Sequence, residues 1–416
     1  MKLPRIFITL IVAFQTFAII HAASIADIAS QFHQGQISVD SLFNYINAPA
    51  HANEVYWWSL HNFEKNDPMG NYVLGRCFFT GIGTTIDETQ AIGLFERAAG
   101  QGVDEALVDL GRMYQNGWGV KKDAAKAKQF LQEAVAKKVP RGFNALGWWF
   151  FNEEKDNIKA LSYFQKSADA GYPGGTADVG YMYEYGYGVD KDIAKALKMY
   201  LKAADAGNAI GLCNAGYFYE QGIGTDENHE TALQFYLLSA SKGNARAAYK
   251  VGFLKQYGNI NQDINYNDIS KWYAQSAQKD YIPAKIELAF LLLDGLGVPQ
   301  NQERAMEVLE EVGPQNVGAW GACRVAEYLS KKNPARALVW AKAAYDKADE
   351  YVSSAESAKL LGFLYLKGGK EIFDYELAVK FLKEGAEMDQ PDCVEMMKAL
   401  GEPFEEQEPT ISSGVR

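Results

Sequence analysis

A glycine returns about every 36 residues along this chain, at Gly75, Gly111, Gly147, Gly180, Gly216 and Gly252, a period typical of stacked supersecondary units. Ala289 and Ala326 keep the beat, and Gly362 restores it. Three positions after each stands a bulky residue: Phe78, Tyr114, Phe150, Tyr183, Tyr219, Leu292, Leu329 and Tyr365, with Lys255 the exception. Six positions on, most units carry a second glycine: Gly81, Gly117, Gly186, Gly222, Gly258, Gly295 and Gly368. Such a chain folds as a solenoid, in which each unit touches only its neighbours and one array can run the whole length.

Within a unit the apolar positions recur at three and four, which is helical spacing. In the fourth unit the first helix ends near Gly186, and Gly186 with Gly188 supplies the left-handed conformations of a tight reversal. Four residues before the first small residue of each second helix stands Asp87, Asp123, Asp156, Asp192, Asn228, Asn265, Asn301, Asn333 or Asp374. Short oxygen-bearing side chains at that place cap the free N–H groups of a helix start. Pro334 follows Asn333 at the one position where a helix tolerates proline. The small residues are Ala91, Ala127, Ala160, Ala196, Ala232, Ala305, Ala337 and Ala378, with Ile269 the exception. They let the paired helix come close.

The pattern LG..Y..G.GV…D..KA..Y..AA..G resembles the Sel1-like repeat, a relative of the tetratricopeptide repeat, in nine copies over residues 70–395. The resemblance implies an all-α fold: a right-handed superhelical solenoid of helix pairs, with the first helices lining a concave surface and caps at both ends. The third unit lacks the Gly-x-Gly turn, and Asn152-Glu153-Glu154-Lys155 stands in its place. The sixth has a polar insert after Gly258, and the eighth has lost both turn glycines. Residues 24–69 read as an N-terminal cap with a degenerate unit, 70–390 as the array, 391–402 as a C-terminal cap helix and 403–416 as a disordered tail.

Residues 1–23 have the order of an export signal: Lys2 and Arg5, an apolar stretch from Ile6 to Ile20, then Ala22 and Ala23. The apolar stretch is short for a membrane span of roughly 20 residues, so the expected location is periplasmic or secreted. Only Cys77, Cys213, Cys323 and Cys393 are present, in units too far apart to bridge. Free, mostly buried thiols are expected. The net charge of −11 argues against a nucleic-acid partner, which needs clustered Lys and Arg.

No catalytic constellation is visible. The four histidines beyond the signal, His33, His51, His61 and His229, show no metal-ligand spacing. Neither G-x-S-x-G nor a phosphate-binding P-loop occurs. The Gly-x-Gly segments follow helices and read as turns. No cofactor is expected.

In a helix pair of this kind the residue after the repeating glycine faces the groove, with those one turn away on either side. That register holds the expected partner-binding residues: Tyr72, Arg76, Arg112, Trp148, Phe151, Tyr181, Glu184, Tyr217, Glu220, Tyr249 and Phe253. Aromatic rings interleaved with charge are typical of recognition surfaces. Trp148-Trp149-Phe150-Phe151 is the richest spot, and four consecutive helical aromatics cannot all face one core. Arg76 and Arg112 lie toward one end and the acids toward the middle, so a partner would be basic opposite the middle. The family resemblance implies a non-catalytic adaptor for another protein, in envelope processes or in host-cell entry and trafficking. Two alternatives remain: a quality-control adaptor of the endoplasmic-reticulum lumen, and an envelope enzyme or regulator of a cell-wall hydrolase.

Overall fold

The computed structural model describes residues 24–34, 36–37, 39–258, 264–348 and 351–402. The proposed export signal at 1–23, the tail at 403–416 and the sixth-unit insert at 259–263 lie outside them. The described residues form 22 α-helices and no strand. The chain divides into two compact units at Leu254.

The first unit opens with α1 (Ile25–His33), α2 (Val39–Ile46) and α3 (Ala52–Glu64). Five helix pairs follow: α4 (Pro68–Thr80) with α5 (Glu88–Gly100), α6 (Glu105–Asn116) with α7 (Ala124–Ala136), α8 (Pro140–Trp149) with α9 (Asn157–Asp169), α10 (Pro173–Tyr185) with α11 (Ile193–Asp205), and α12 (Ala209–Gln221) with α13 (His229–Ser241). Then α14 (Ala245–Tyr257) crosses the boundary at Leu254. The second unit holds α15 (Tyr266–Ala277), α16 (Ile282–Asp294) with α17 (Gln302–Val312), α18 (Ala319–Ser330) with α19 (Pro334–Asp346), α20 (Tyr351–Lys367) with α21 (Tyr375–Glu387), and α22 (Pro391–Leu400).

All nine expected caps are formed. Asp87, Asp123, Asp156, Asp192 and Asn228 in the first unit each accept from the backbone N–H three residues on. Asn265, Asn301, Asn333 and Asp374 do the same in the second. Each satisfies one orphan donor of a helix start, worth about 1 kcal/mol.

The repeating glycine faces the second helix of its own pair. A Cβ on Gly111 would lie 2.5 Å from the Leu131 side chain, and one on Gly180 would lie 2.9 Å from the Tyr200 ring. Phe95, Phe164 and Tyr236 fill the same place against Gly75, Gly147 and Gly216. Opposite them the eight small residues of the second helices are fully buried, as is Ile269. Ala196→Leu is therefore expected to cost about 1–3 kcal/mol by overpacking this crossing. A lowered urea midpoint would show it, and an unchanged one would refute the placement.

The first turn glycine ends five of the first helices in the left-handed conformation, at Gly81, Gly117, Gly186, Gly222 and Gly295; at Gly186 φ is 73°. The second does more than turn. A Cβ on Gly188 would lie 2.5 Å from the Asn157 carbonyl oxygen, at the start of the preceding pair's second helix, so the turn is seated directly on backbone. The third repeat solves the reversal differently: α8 runs into a π-turn over Phe150–Glu154, closed by Lys155 at φ 56°. In the ninth repeat the left-handed residue is Gly369 (φ 107°) rather than the expected Gly368. Lys255, the exception at the bulky position, instead ion-pairs with Asp268 at 2.8 Å. The four cysteines are buried and free, as expected.

Candidate binding surface on the first helices

The expected groove residues divide into a buried polar cluster, an aromatic cluster and a mixed row. The polar cluster lies where α2, α4, α6 and α8 meet. Asp109 is 5% exposed and Arg141 2%. Arg141 grips Asp109 with both fork nitrogens, Nη1 to Oδ1 at 3.0 Å and Nη2 to Oδ2 at 2.9 Å. Its Nε donates to Glu105 at 2.7 Å. Arg76 adds a third cation–carboxylate contact to Asp109 at 3.3 Å, and the Tyr72 hydroxyl donates to the same carboxylate at 3.0 Å. Phe43 of α2 lies under both guanidiniums, 4.3 Å from Arg76 and 5.0 Å from Arg141. Burial alone would raise the Asp109 carboxyl, but Arg141 and Arg76 beside it bring it down to about 2. Burial pushes the Glu105 carboxyl up despite Arg141.

This corrects three expectations. Tyr72 is fully buried, Arg76 9% exposed and Glu220 4% exposed. All three side chains are buried rather than open to the groove. Tyr72 and Arg76 hold Asp109, and Glu220 takes Lys250 at 2.7 Å and the Tyr236 hydroxyl at 2.5 Å. A long polar group on a first helix can find its partner on the next repeat, and the desolvation cost of burial then demands that it does.

Arg112 is half-buried. No carboxylate lies within ion-pair distance of it among the described residues, although its charge acts on Asp109 and Asp178. Burial lowers its pKa, reinforced by the like charges of Arg141 and Arg76.

The aromatic cluster is built on α8, its π-turn and α10. Trp148 is half-buried, and its indole N–H donates to Asp178 Oδ2 at 2.9 Å. Asn144 donates to the same oxygen at 2.5 Å. Burial raises the Asp178 carboxyl to about 6 in spite of these donors. The Tyr181 ring lies 5.9 Å from Trp148 and 6.0 Å from Phe151. Tyr185 and Tyr187 complete the group, 4.9 Å and 5.7 Å from Tyr181. Tyr185 is 52% exposed. Glu184 is half-buried and accepts from the Tyr200 hydroxyl at 2.5 Å. Of the four consecutive aromatics, Trp149 and Phe150 are core and Trp148 and Phe151 are half-exposed.

Farther along, Tyr217 is half-buried with Arg246 over its face at 5.2 Å. Tyr249 and Phe253 are half-buried, their ring centres 5.9 Å apart. Tyr185, Tyr187, Asp109 and Arg141 were missed at the sequence level. Both tyrosines flank Gly186, where the second and fifth units carry Asn116 with Trp118 and Gln221 with Ile223. That enrichment in tyrosine was the available signal. Among the described residues no group of three or more His, Cys, Asp or Glu is placed to hold a metal ion. Nor is any helix long and apolar enough to cross a membrane.

Comparison with known proteins gives the fold its kinship. A curated relative, an uncharacterized protein of Neisseria meningitidis serogroup B, is 28% identical over 145 residues, 35% of this chain and 30% of that protein. Chitin synthase regulatory factor 3 of Schizosaccharomyces pombe is 28% identical over 132 residues, 30% of this chain and 14% of that protein. The chain thus matches under a third of either relative's length. A protective antigen of uropathogenic Escherichia coli strains with an SLR fold superposes with a TM-score of 0.55 at 24% identity, covering 85% of this chain and 77% of that one. The Sel1 repeat model matches nine times, at residues 68–103, 104–138, 144–172, 175–208, 209–244, 245–269, 282–307, 324–349 and 355–390. The chain belongs to the Sel1 repeat family, whose members are typically protein–protein interaction adaptors.

Proposed function

We propose that this chain is a non-catalytic adaptor, exported from the cytoplasm, that holds a protein partner along its first helices. The observation that carries the reading is the half-exposed row Arg112, Trp148, Phe151, Tyr181, Glu184, Tyr217, Tyr249 and Phe253. Helix pairing is already satisfied by the glycine–ring and alanine contacts on the other side of each first helix. Trp148, Phe151, Tyr181 and Tyr217 pack on the core yet stay partly exposed, and such rings with a few polar groups are the usual anchors of protein interfaces. Export is supported by the charged, apolar and small-residue order of residues 1–23.

The test is a crosslinking capture with the parent chain beside Tyr181→Ala/Tyr217→Ala. Loss of a captured protein by the variant, with its melting temperature held within a few degrees, supports the adaptor reading. Equal capture by both would move the partner to another face. Fractionation of the producing cell tests export: a mature protein still carrying residues 1–23 in the cytoplasm would refute it.

A further inference from the structure

Several first-helix rings elsewhere in this chain carry a cation of the chain itself. Arg76 lies over Phe79 at 5.7 Å, Arg246 over Tyr217 at 5.2 Å and Lys250 over Phe253 at 5.3 Å. In the second unit Arg324 lies over Phe290 at 5.0 Å and Trp320 at 4.9 Å. A ring face is the negative pole of its quadrupole, and a cation within about 6 Å satisfies it.

The five rings of Trp148, Phe151, Tyr181, Tyr185 and Tyr187 are different. They pack on one another with centres 4.9 to 6.0 Å apart. Among the described residues no Lys or Arg lies over any of them. The surrounding carboxylates add to the negative field. Asp178 sits one turn before Tyr181 and Glu184 one turn after it. Asp178 receives both its hydrogen bonds on Oδ2, and Oδ1 has no hydrogen-bond partner among the described residues. Arg112 acts on Asp178 but stands beyond ion-pair distance and over none of the rings. The Tyr185 hydroxyl is pushed up to about 12 by burial and by the charge of Glu184, which is what a negative local field does to a phenol.

The backbone is also unusual at this place. The π-turn at Phe150–Glu154 stands where five other repeats have a Gly-x-Gly reversal and sets Phe151 5.2 Å from Tyr187. Single π-turns are rare and are frequently found at functional sites.

We propose that this five-ring platform seats a cationic side chain, a Lys or Arg of a bound protein segment, with Glu184 and Asp178 as its counter-charges. The proposal rests on the protein-binding reading above and adds the chemistry of the partner at one position. A guanidinium is the better fit, because it stacks flat on a ring while its edge donates to a carboxylate.

The experiment uses the full chain and three fluorescein-labelled nonapeptides of alternating Arg and Ser, Gln and Ser, or Glu and Ser. Binding is read by anisotropy at about 0.15 M salt, where charges more than ~8 Å apart are largely screened. The Arg peptide should bind most tightly. Tyr185→Leu should weaken it roughly three- to thirtyfold, the span of a cation–ring contact from exposed to desolvated sites. Tyr185→Phe should retain it, because the ring face remains. Neither substitution changes the net charge of −11, so general attraction of a basic peptide to an acidic chain is held constant. Glu184→Gln should weaken the Arg peptide and leave the Gln peptide alone.

Equal binding of the three peptides, binding of none, or an Arg peptide indifferent to both Tyr185→Leu and Glu184→Gln would overturn the cation seat. The capture experiment with Tyr181→Ala/Tyr217→Ala separates the two failures. A partner lost by that variant, alongside peptides bound without preference, leaves the adaptor standing and removes only the seat.

Discussion

Arg141→Ala is expected to destabilise the first unit by about 3–5 kcal/mol, the usual cost of removing one partner of a buried ion pair. The mutation deletes both fork bonds to Asp109 and the bond to Glu105, and those carboxylates are left inside with too few donors. Arg76 alone, at 3.3 Å from Asp109, cannot replace a bidentate grip. Native-state hydrogen exchange of the α6 and α8 amides is the suitable measurement, because repeat arrays need not unfold in one step. Arg141→Lys should fall in between, since a point charge cannot match the planar fork. A loss below 1 kcal/mol for Arg141→Ala would mean that water replaces the side chain and that the cluster is not structural.

Acid titration gives the same cluster a second readout. The folded Asp109 carboxyl lies at about 2, below its ordinary value of 3.8. Its contribution is therefore complete above pH 3.8 and is lost as the pH falls toward 2. Arg141→Ala should abolish most of that loss, because Arg141 is the main cause of the lowered value.

Phe164→Ala is the second large effect, at about 3–5 kcal/mol. Phe164 is fully buried, and its ring occupies the space over Gly147, where an added Cβ would stand 2.6 Å away. A glycine has no side chain with which to close the resulting cavity. The same ring supports Trp148 edge-on at 5.3 Å, so the aromatic platform should loosen as well. Weaker exchange protection in α8 and α9, with quenched or shifted Trp fluorescence, would confirm both parts. Protection unchanged from the parent would show that neighbouring side chains collapse into the gap.

The sequence was most legible where a residue answers a local need. An Asp or Asn before each second helix satisfies orphan N–H groups within three residues of itself, so Asp87 through Asp374 could be assigned as caps without a fold. The repeating glycine was legible as a period, and its role as a close-approach point followed. Less legible was the second turn glycine. Gly188 reads as a turn residue, yet its side chain is also forbidden by the Asn157 carbonyl of another helix. The binding row was half legible. Register alone put Tyr72, Arg76 and Glu220 beside Arg112, Tyr181 and Tyr217, but the first three are buried.

The chain by itself determined the helix pairs, their caps, their turns and the side of each first helix that faces its partner helix. These depend on contacts between residues near in sequence, which recur in every unit. Only the tertiary structure decided which groove residues are buried. Asp109 meets Arg141 and Glu220 meets Lys250 because stacking brings successive first helices together, whereas among the described residues Arg112 has no such carboxylate and the rings around Tyr181 have no such cation. Pairing between repeats depends on the distance and direction of side chains about one unit apart, and the desolvation cost of a buried charge makes that pairing binding wherever geometry permits it. A one-dimensional register specifies the face of a helix, but the presence of a partner across the stack is a property of three dimensions.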